Sequence, residues 1–155
     1  MTVTDIFISY SVKDEAIAKE IKSLATAHGA DVFLSGESLS VGDEWTPQIK
    51  EAHKKAKWVF FLATKNALAS MNVTLEVGGA FFNDKKLVPI FVDVGPEDVS
   101  PWIASHQGVF VKDLNVVVLK PIIEKIAQKI SADKSIGLLA LIVIVGALVW
   151  AFNSK

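Results

Sequence analysis

The sequence contains no cysteine and no arginine, and each absence removes a class of function. Without thiols, the chain has no disulfides, no thiolate metal ligands and no cysteine nucleophile. Every basic residue is a lysine, whereas arginine supplies most bidentate contacts to phosphates and base edges. We therefore expect no nucleic-acid partner.

Charge is nearly balanced, and no metal-binding pattern is present. The formal net charge is −1, which gives no reason to expect a polyanionic partner. The three histidines, His28, His53 and His106, are scattered, and we expect them at helix ends or on the surface rather than at a metal. The N-terminal residues lack the basic segment and long apolar run of a signal peptide. We predict no bound metal and no cofactor.

A long uncharged stretch lies near the C-terminal end, from Ile136 to Phe152. As a helix rising about 1.5 Å per residue, it would be about 26 Å long, near the short limit for a hydrocarbon core of about 30 Å. Its Leu, Ile, Val and Phe side chains would favour insertion by about 3 to 6 kcal/mol. We predict a transmembrane helix over residues 136–152, with a buried core helix as the alternative.

The lysines around this stretch predict its orientation. Five lysines lie between Lys112 and Lys134, and only Lys155 follows the apolar run. By the positive-inside bias, a domain formed by residues 1–131 faces the cytoplasm, and residues 153–155 form a tail on the far side. Residues 132–135 would be a short linker or part of one continuous helix. The predicted location is the inner (cytoplasmic) membrane, crossed once, with the lipid bilayer as a partner.

Strand and helix patterns alternate along the rest of the chain. The unbroken apolar run Trp58–Ala63 is typical of a central strand buried on both faces. The predicted strands are Asp5–Tyr10, Asp31–Leu34, Trp58–Ala63, Lys86–Val94 and Gly108–Val111. The predicted helices are Lys13–His28, Glu44–Ala56, Ser70–Asn83, a brief helix from Ser100, and Pro121–Ile130. The alternation predicts an α/β fold with a five-stranded parallel sheet in the order 2-1-3-4-5 and helices on both faces.

One carboxylate is notable within the predicted helix Ser70–Asn83. Most of that segment is apolar or small, but Asn72, Glu76 and Gly79 fall on one narrow polar stripe at helical spacing. A lone helical glutamate is more often a solvated surface residue than a site. Its surroundings in the predicted fold decide between the two interpretations.

The predicted topology brings three features to the same edge of the sheet. In such sheets, ligands bind beyond the carboxyl ends of the strands, at the switch point between the first and third. That rule indicates Tyr10 and Ser11 after the first strand, and the segment that leads from the third strand to Glu76. The glycine- and serine-rich loop Ser35–Asp43 leaves the second strand at this edge. Glu76 is therefore a candidate site residue.

Four segments form a pattern together with the helix that contains Glu76. These segments are DIFISYSVKDE, DVFLSGESLSVGDEW, WVFFLATKNALAS and LVPIFVD. In the order and spacing of these segments, residues 4 to 112 resemble the Toll/interleukin-1 receptor (TIR) domain family, bacterial type. The family's fold is the five-stranded flavodoxin-like arrangement already predicted.

The resemblance implies a catalytic role for Glu76. Many bacterial and plant members cleave NAD at the nicotinamide–ribose bond with a glutamate on the third helix, which Glu76 matches by position. The implied substrate-binding residues are Phe7, Tyr10, Ser11, Trp45 and Asn72. Catalytic members often have Trp four residues before the glutamate, where this chain has Asn72. The aromatic part of the substrate must then stack elsewhere, for example on Tyr10 or Trp45.

The resemblance also implies assembly. Catalytic members generally build the site between neighbouring subunits, completed by the loop after the second strand. The matching residues in this chain include Ser35, Gly36, Gly42 and Asp43. We predict a membrane-anchored NAD glycohydrolase of bacterial antiphage defence, activated by self-association through its TIR domains and membrane helices. The alternative is a non-catalytic TIR scaffold that recruits partners to a membrane.

Overall fold

The sheet has the predicted topology. The structure is a computed structural model, and it describes residues 4–35, 47–70, 73, 77–78, 85–112 and 116–134. Five parallel strands lie in the order β2-β1-β3-β4-β5. They are β1 (Ile6–Ser9), β2 (Val32–Leu34), β3 (Trp58–Ala63), β4 (Lys86–Val92) and β5 (Val109–Val111). The predicted fold class and strand order are confirmed.

The helices alternate with these strands. They are α1 (Glu15–Ala27), α2 (Pro47–Lys55), α3 (Lys65–Leu68), α4 (Pro101–Ala104) and α5, which comprises residues 120–134. Short 3₁₀ helices span Val12–Asp14, Pro96–Asp98 and Val116–Leu119. Residues 73, 77 and 78 are also helical, and they fall inside the predicted helix Ser70–Asn83.

Strand β3 occupies the centre of the sheet. It pairs with β1 on one side and β4 on the other, and all six of its residues are buried. Phe60 and Leu62 point to one face, and Val59 and Phe61 point to the other. Apolar side chains at every position are needed because helices cover both faces of a parallel sheet.

One face is covered by α1 and α5. Ile17 and Ile21 of α1, and Ile123, Ile126 and Ile130 of α5, are buried against the sheet. These positions recur every three or four residues, the spacing of one helical face. Ile122 is partly buried beside these three isoleucines of α5.

The opposite face is covered by α2, α4 and the helical residues 73 and 77. Their contributions to the second core cluster include Ile49, Val73, Val77 and Ile103. Val73 and Val77 are four residues apart, so they occupy one face of a helix that packs against the sheet. The prediction of helices on both faces of the sheet is therefore confirmed.

The end of α1 is closed by a glycine turn. Gly29 has φ +85°, a conformation that favours glycine. The N–H of Ala30 donates to the carbonyl of Ala25 at 3.2 Å, and the N–H of Gly29 donates to that of Thr26 at 2.9 Å. This pair of bonds is a Schellman motif, which turns the chain directly into β2.

The described residues contain no helix that is both long and apolar enough to cross a membrane. The predicted transmembrane segment 136–152 and the tail 153–155 lie outside those residues. Of the predicted linker 132–135, residues 132–134 are described, and they are helical.

Two glycines offer a matched test of packing in this fold. A Cβ added at Gly108 would lie 2.4 Å from the Phe91 ring and 2.9 Å from the Pro89 carbonyl oxygen, whereas one added at Gly78 would meet nothing within 4 Å. We expect Gly108→Ala to destabilise the fold by about 1–3 kcal/mol through overpacking. Gly78→Ala should stabilise it by about 0.5–1 kcal/mol, because glycine costs more backbone entropy in a helix.

Thermal unfolding of the full-length variants, followed by circular dichroism, measures both effects. Equal melting temperatures for Gly108→Ala and Gly78→Ala would contradict the packing described around Gly108.

Candidate active site

The carboxyl ends of β1 and β3 lie side by side at the switch point of the sheet. Ser9, the last residue of β1, is paired with Phe61 of β3. Beyond this pair, β1 continues into Tyr10, Ser11 and a 3₁₀ helix, while β3 continues into Thr64 and α3. The two segments diverge to opposite faces of the sheet, and the crevice between them is the expected ligand position.

A carboxylate bridges the two sides of this crevice. The hydroxyl of Thr64 donates to Oδ2 of Asp14 at 2.6 Å, and Nδ2 of Asn66 donates to Oδ1 at 2.8 Å. The Thr64 oxygen also accepts the N–H of Ala67 at 2.9 Å, and so it caps the first turn of α3. Asp14 therefore ties the segment after β1 to the start of α3.

Sequence reasoning missed both this bridge and α3. Thr64 directly follows the apolar run of β3, as an N-cap residue would, and that signal was available. No local pattern indicates its partner, because Asp14 lies fifty residues away along the chain. The bridge exists only because the parallel pairing of β1 and β3 brings their ends together.

We expect Asp14→Ala to destabilise the domain by about 1–3 kcal/mol, because it leaves the buried Thr64 hydroxyl without its acceptor. The matched control is Glu15→Ala. Glu15 is the next carboxylate in the chain, and its only recorded salt bridge within the described residues is an exposed one to Lys19 at 3.0 Å. Such exposed pairs are worth about 0.3–0.5 kcal/mol.

Chemical unfolding of Asp14→Ala, Thr64→Val and the double variant Asp14→Ala/Thr64→Val measures the coupling between the two side chains, with Glu15→Ala unfolded alongside as the control. Strict additivity of the two single changes would contradict the bridge.

Tyr10 and Ser11 lie at the predicted edge of the sheet but are largely buried. Tyr10 is 5% exposed and packs in the core cluster on the α1 side. Ser11 is 8% exposed, and its carbonyl accepts the N–H of Asp14 at 2.7 Å. The Tyr10 ring is enclosed by the core in this structure, and its role as a stacking surface for a ligand stays a prediction.

Phe7 is a core residue. Its side chain has no exposed surface, and its ring stacks on Phe33 at a centroid distance of 5.7 Å and meets the edge of His53 at 5.0 Å. These contacts make the ring part of the core, and its role in substrate binding stays a prediction. Phe7 alternates with Ile6 and Ile8, so it points to the α2 face while they point to the α1 face.

The remaining predicted site residues fall mostly outside the described residues. These are Glu76, Asn72, Trp45, Gly36, Gly42 and Asp43. Ser35, the first residue of the predicted assembly loop, is described and buried, and its N–H donates to the carbonyl of Ile8 at 3.0 Å. The loop therefore starts from a fixed point beside the end of β1.

A cavity of about 340 Å³ lies beside the helical residues on either side of Glu76 in the sequence. Val73 and Val77 form part of its wall, together with apolar side chains of β3, α3 and α4. Asp98 and Ser100, which follow β4, contribute polar groups. A mostly apolar cavity of this size with a few polar groups is typical of small-molecule sites.

Comparison with protein families identifies the domain. A family model described as TIR domain matches residues 6–132. No curated relative matches the chain.

Solved TIR-containing structures share the fold. A TIR-STING receptor from C. gigas, solved with 2′,3′-cGAMP, is 18% identical, with a TM-score of 0.62 over 81% of this chain and 42% of that one. The TIR domain of the Toll-related receptor TRR-2 from Hydra magnipapillata is 15% identical, with a TM-score of 0.60 over 80% and 98%. The TIR domains of the activated Roq1 resistosome, which recognises the pathogen effector XopQ, are 16% identical, with a TM-score of 0.52 over 81% and 84%.

The family model covers most of the chain and spans every described strand and helix up to residue 132. The strand order, the switch point between β1 and β3, and the match over residues 6–132 agree with one another. The chain belongs to the TIR domain family.

Proposed function

We propose that this protein is a membrane-anchored NAD glycohydrolase that cleaves the bond between nicotinamide and ribose, with Glu76 as the catalytic residue. The observation that carries the proposal is the match of the TIR family model to residues 6–132, because that range includes Glu76. The crevice between the ends of β1 and β3, where ligands bind in such sheets, supports it.

The chemistry requires only one carboxylate. Breaking the bond develops an oxocarbenium ion on the ribose, while nicotinamide leaves as a neutral molecule and needs no proton. An anion that holds the ribose hydroxyls and faces the developing positive charge stabilises the transition state more than the ground state. Attack by water yields ADP-ribose, and attack from within the substrate yields a cyclic product. Neither a metal nor a cofactor is needed, and NAD is the substrate.

The burial of Phe7 and Tyr10 reduces the number of aromatic side chains that can contact the substrate in this proposal. Phe7 and Tyr10 are enclosed in the core, so their contribution is to position the segment after β1 rather than to stack on substrate. Trp45 then carries the stacking role and Asn72 supplies a polar contact, while the buried Ser11 shares the positioning role of Tyr10.

Assembly completes the site in this proposal. The segment Ser35–Asp43 of one subunit contacts the site of a neighbour, and the membrane helix 136–152 concentrates the subunits in one plane. The buried start of the segment at Ser35 supports this, because it directs the loop from the same edge as the crevice. A defence role, including antiphage defence, accords with the likeness to an activated resistosome that recognises a pathogen effector.

The test is to follow NAD and its products by chromatography, with the full chain reconstituted in lipid at high density. Release of nicotinamide in proportion to protein supports the proposal. The second candidate is a non-catalytic TIR scaffold at the membrane, favoured by Asn72 at a position where catalytic members often have Trp. Intact NAD in the densely clustered wild type would overturn the enzyme proposal in favour of the scaffold.

A further inference from the structure

Lysines gather at the amino edge of the sheet, where the strands begin. We call Lys54, Lys57, Lys85, Lys86 and Lys134 the amino-edge lysines. The first belongs to the last turn of α2, the second precedes β3, Lys85 precedes β4, Lys86 begins β4, and the last belongs to α5. They come from separate segments of the chain, and the parallel topology brings them to one end of the domain.

Direct contacts show that these lysines form one surface. Nζ of Lys85 donates to the carbonyls of Lys54 and Ala56 at 3.1 and 2.6 Å, and the N–H of Lys86 donates to the carbonyl of Lys57 at 3.0 Å. The ammonium of Lys86 lies 4.8 Å from the centre of the Trp58 ring. Partial burial lowers the pKa of Lys85, and its bonds to helix-end carbonyls give it a structural role.

The other lysines are exposed, and several carry uncompensated charge. Lys54, Lys57 and Lys86 form no salt bridge with any residue in the described part of the chain. Of the nearby carboxylates, Glu51 pairs with Lys55 at 3.0 Å, a contact that lowers the pKa of Glu51, and Asp133 lines the same small cavity as Lys57 and Lys134.

The described residues of α5 end at Lys134, which lies on this same surface. Nζ of Lys134 lies 2.7 Å from Oδ2 of the buried Asp5 and 3.8 Å from Oδ2 of Asp31. The same Asp5 oxygen accepts the N–H of Asp31 at 2.8 Å. Lys134 is thereby held to the starts of β1 and β2, and the uncharged run begins two residues later, at Ile136.

We propose that the amino edge of the domain rests on the bilayer, with Lys54, Lys57 and Lys86 against the anionic headgroups of the cytoplasmic leaflet. The proposal rests on the membrane anchor of the proposed function. The short distance in sequence from Lys134 to Ile136 keeps this edge at the membrane surface, within the range of its negative potential.

This placement sets the direction in which the candidate site faces. The six residues of β3 separate the amino edge from the carboxyl edge by about 20 Å. Asp14, Thr64 and the crevice therefore face away from the bilayer, where NAD and neighbouring domains have access. The membrane anchor therefore sets the direction in which the site faces, and no contact between the anchor and the site is required.

Lysine acetylation mapped by mass spectrometry tests the proposal. The full chain is reconstituted in nanodiscs of phosphatidylcholine alone, or of phosphatidylcholine with phosphatidylglycerol. The exposed Lys13, Lys65 and Lys112 follow β1, β3 and β5, so they mark the opposite edge and serve as internal controls. We expect acetylation of Lys54, Lys57 and Lys86 to slow by about fivefold in the anionic discs, with no change at the controls. Added salt should abolish the difference.

A charge-reversal pair provides the matched control. Lys54→Glu/Lys57→Glu should remove the remaining protection at Lys86 in anionic discs, whereas Lys13→Glu/Lys65→Glu should leave it unchanged. Acetylation of Lys54, Lys57 and Lys86 that is as fast in anionic discs as in phosphatidylcholine discs would overturn the proposal. If the chain does not insert into nanodiscs, the same comparison is made on vesicles of the two lipid compositions. Absence of protection on the anionic vesicles also overturns the proposal. NAD cleavage is measured on the same samples, so that a failure of the catalytic proposal can be distinguished from a failure of this proposal.

Discussion

Replacement of Glu76 by glutamine should reduce NAD cleavage by about 10²- to 10³-fold, the range found when one preorganised electrostatic contact to a transition state is removed. Glutamine keeps the shape of the side chain but removes the negative charge that would face the oxocarbenium ion. The fall should appear in kcat more than in KM, because the charge acts mainly in the transition state. Release of nicotinamide by the full chain in lipid is the measurement.

The control for Glu76→Gln is the same change at Glu20, an exposed carboxylate of α1 on the opposite face of the sheet from Val73 and Val77. Glu20→Gln should keep wild-type turnover, and both variants should keep the wild-type circular dichroism spectrum. If Glu76→Gln cleaves NAD as fast as the wild type, Glu76 is not the catalytic residue.

Specific activity should rise steeply with the density of the protein in the membrane. If a neighbour's Ser35–Asp43 segment completes each site, an isolated subunit lacks part of its site, and restriction to a bilayer raises the effective concentration of neighbours. We expect at least about a tenfold gain in turnover per molecule between sparse and dense reconstitution. Turnover measured across a series of lipid-to-protein ratios checks this.

A bulky change in the loop should flatten that rise. Gly42→Trp places a large side chain in the predicted contact, while Gln107→Trp places the same side chain at an exposed position before β5. Only the first should weaken the dependence on density. Turnover per molecule that stays constant on dilution would show that each subunit carries a complete site.

Much of the fold was predictable because its signals are local. The apolar run of β3 matches its observed bounds, Trp58–Ala63, residue for residue. The glycine at the end of α1 is required by a left-handed conformation at Gly29, which lies directly after the last apolar turn. Strand order then follows from the alternation of strands and helices, because few arrangements of parallel strands satisfy short, right-handed connections.

The candidate site was predictable only in its location. The switch-point rule indicated the ends of β1 and β3, and the structure places Asp14, Thr64 and Asn66 there in one hydrogen-bonded group. The rule does not indicate which side chains at that edge are open to a ligand. Phe7 and Tyr10 match the family by position, yet both are enclosed in the core.

The sequence by itself determined the five strands, their order and the family, because periodicity and motif spacing depend on residues near one another in the chain. Only the tertiary structure decided that Asp14 bonds Thr64, that Phe7 packs between Phe33 and His53, and that Lys134 reaches Asp5. Those contacts join residues far apart in sequence. They form only when the crossover connections bring the strands side by side, because burial and pairing depend on which strand ends become neighbours.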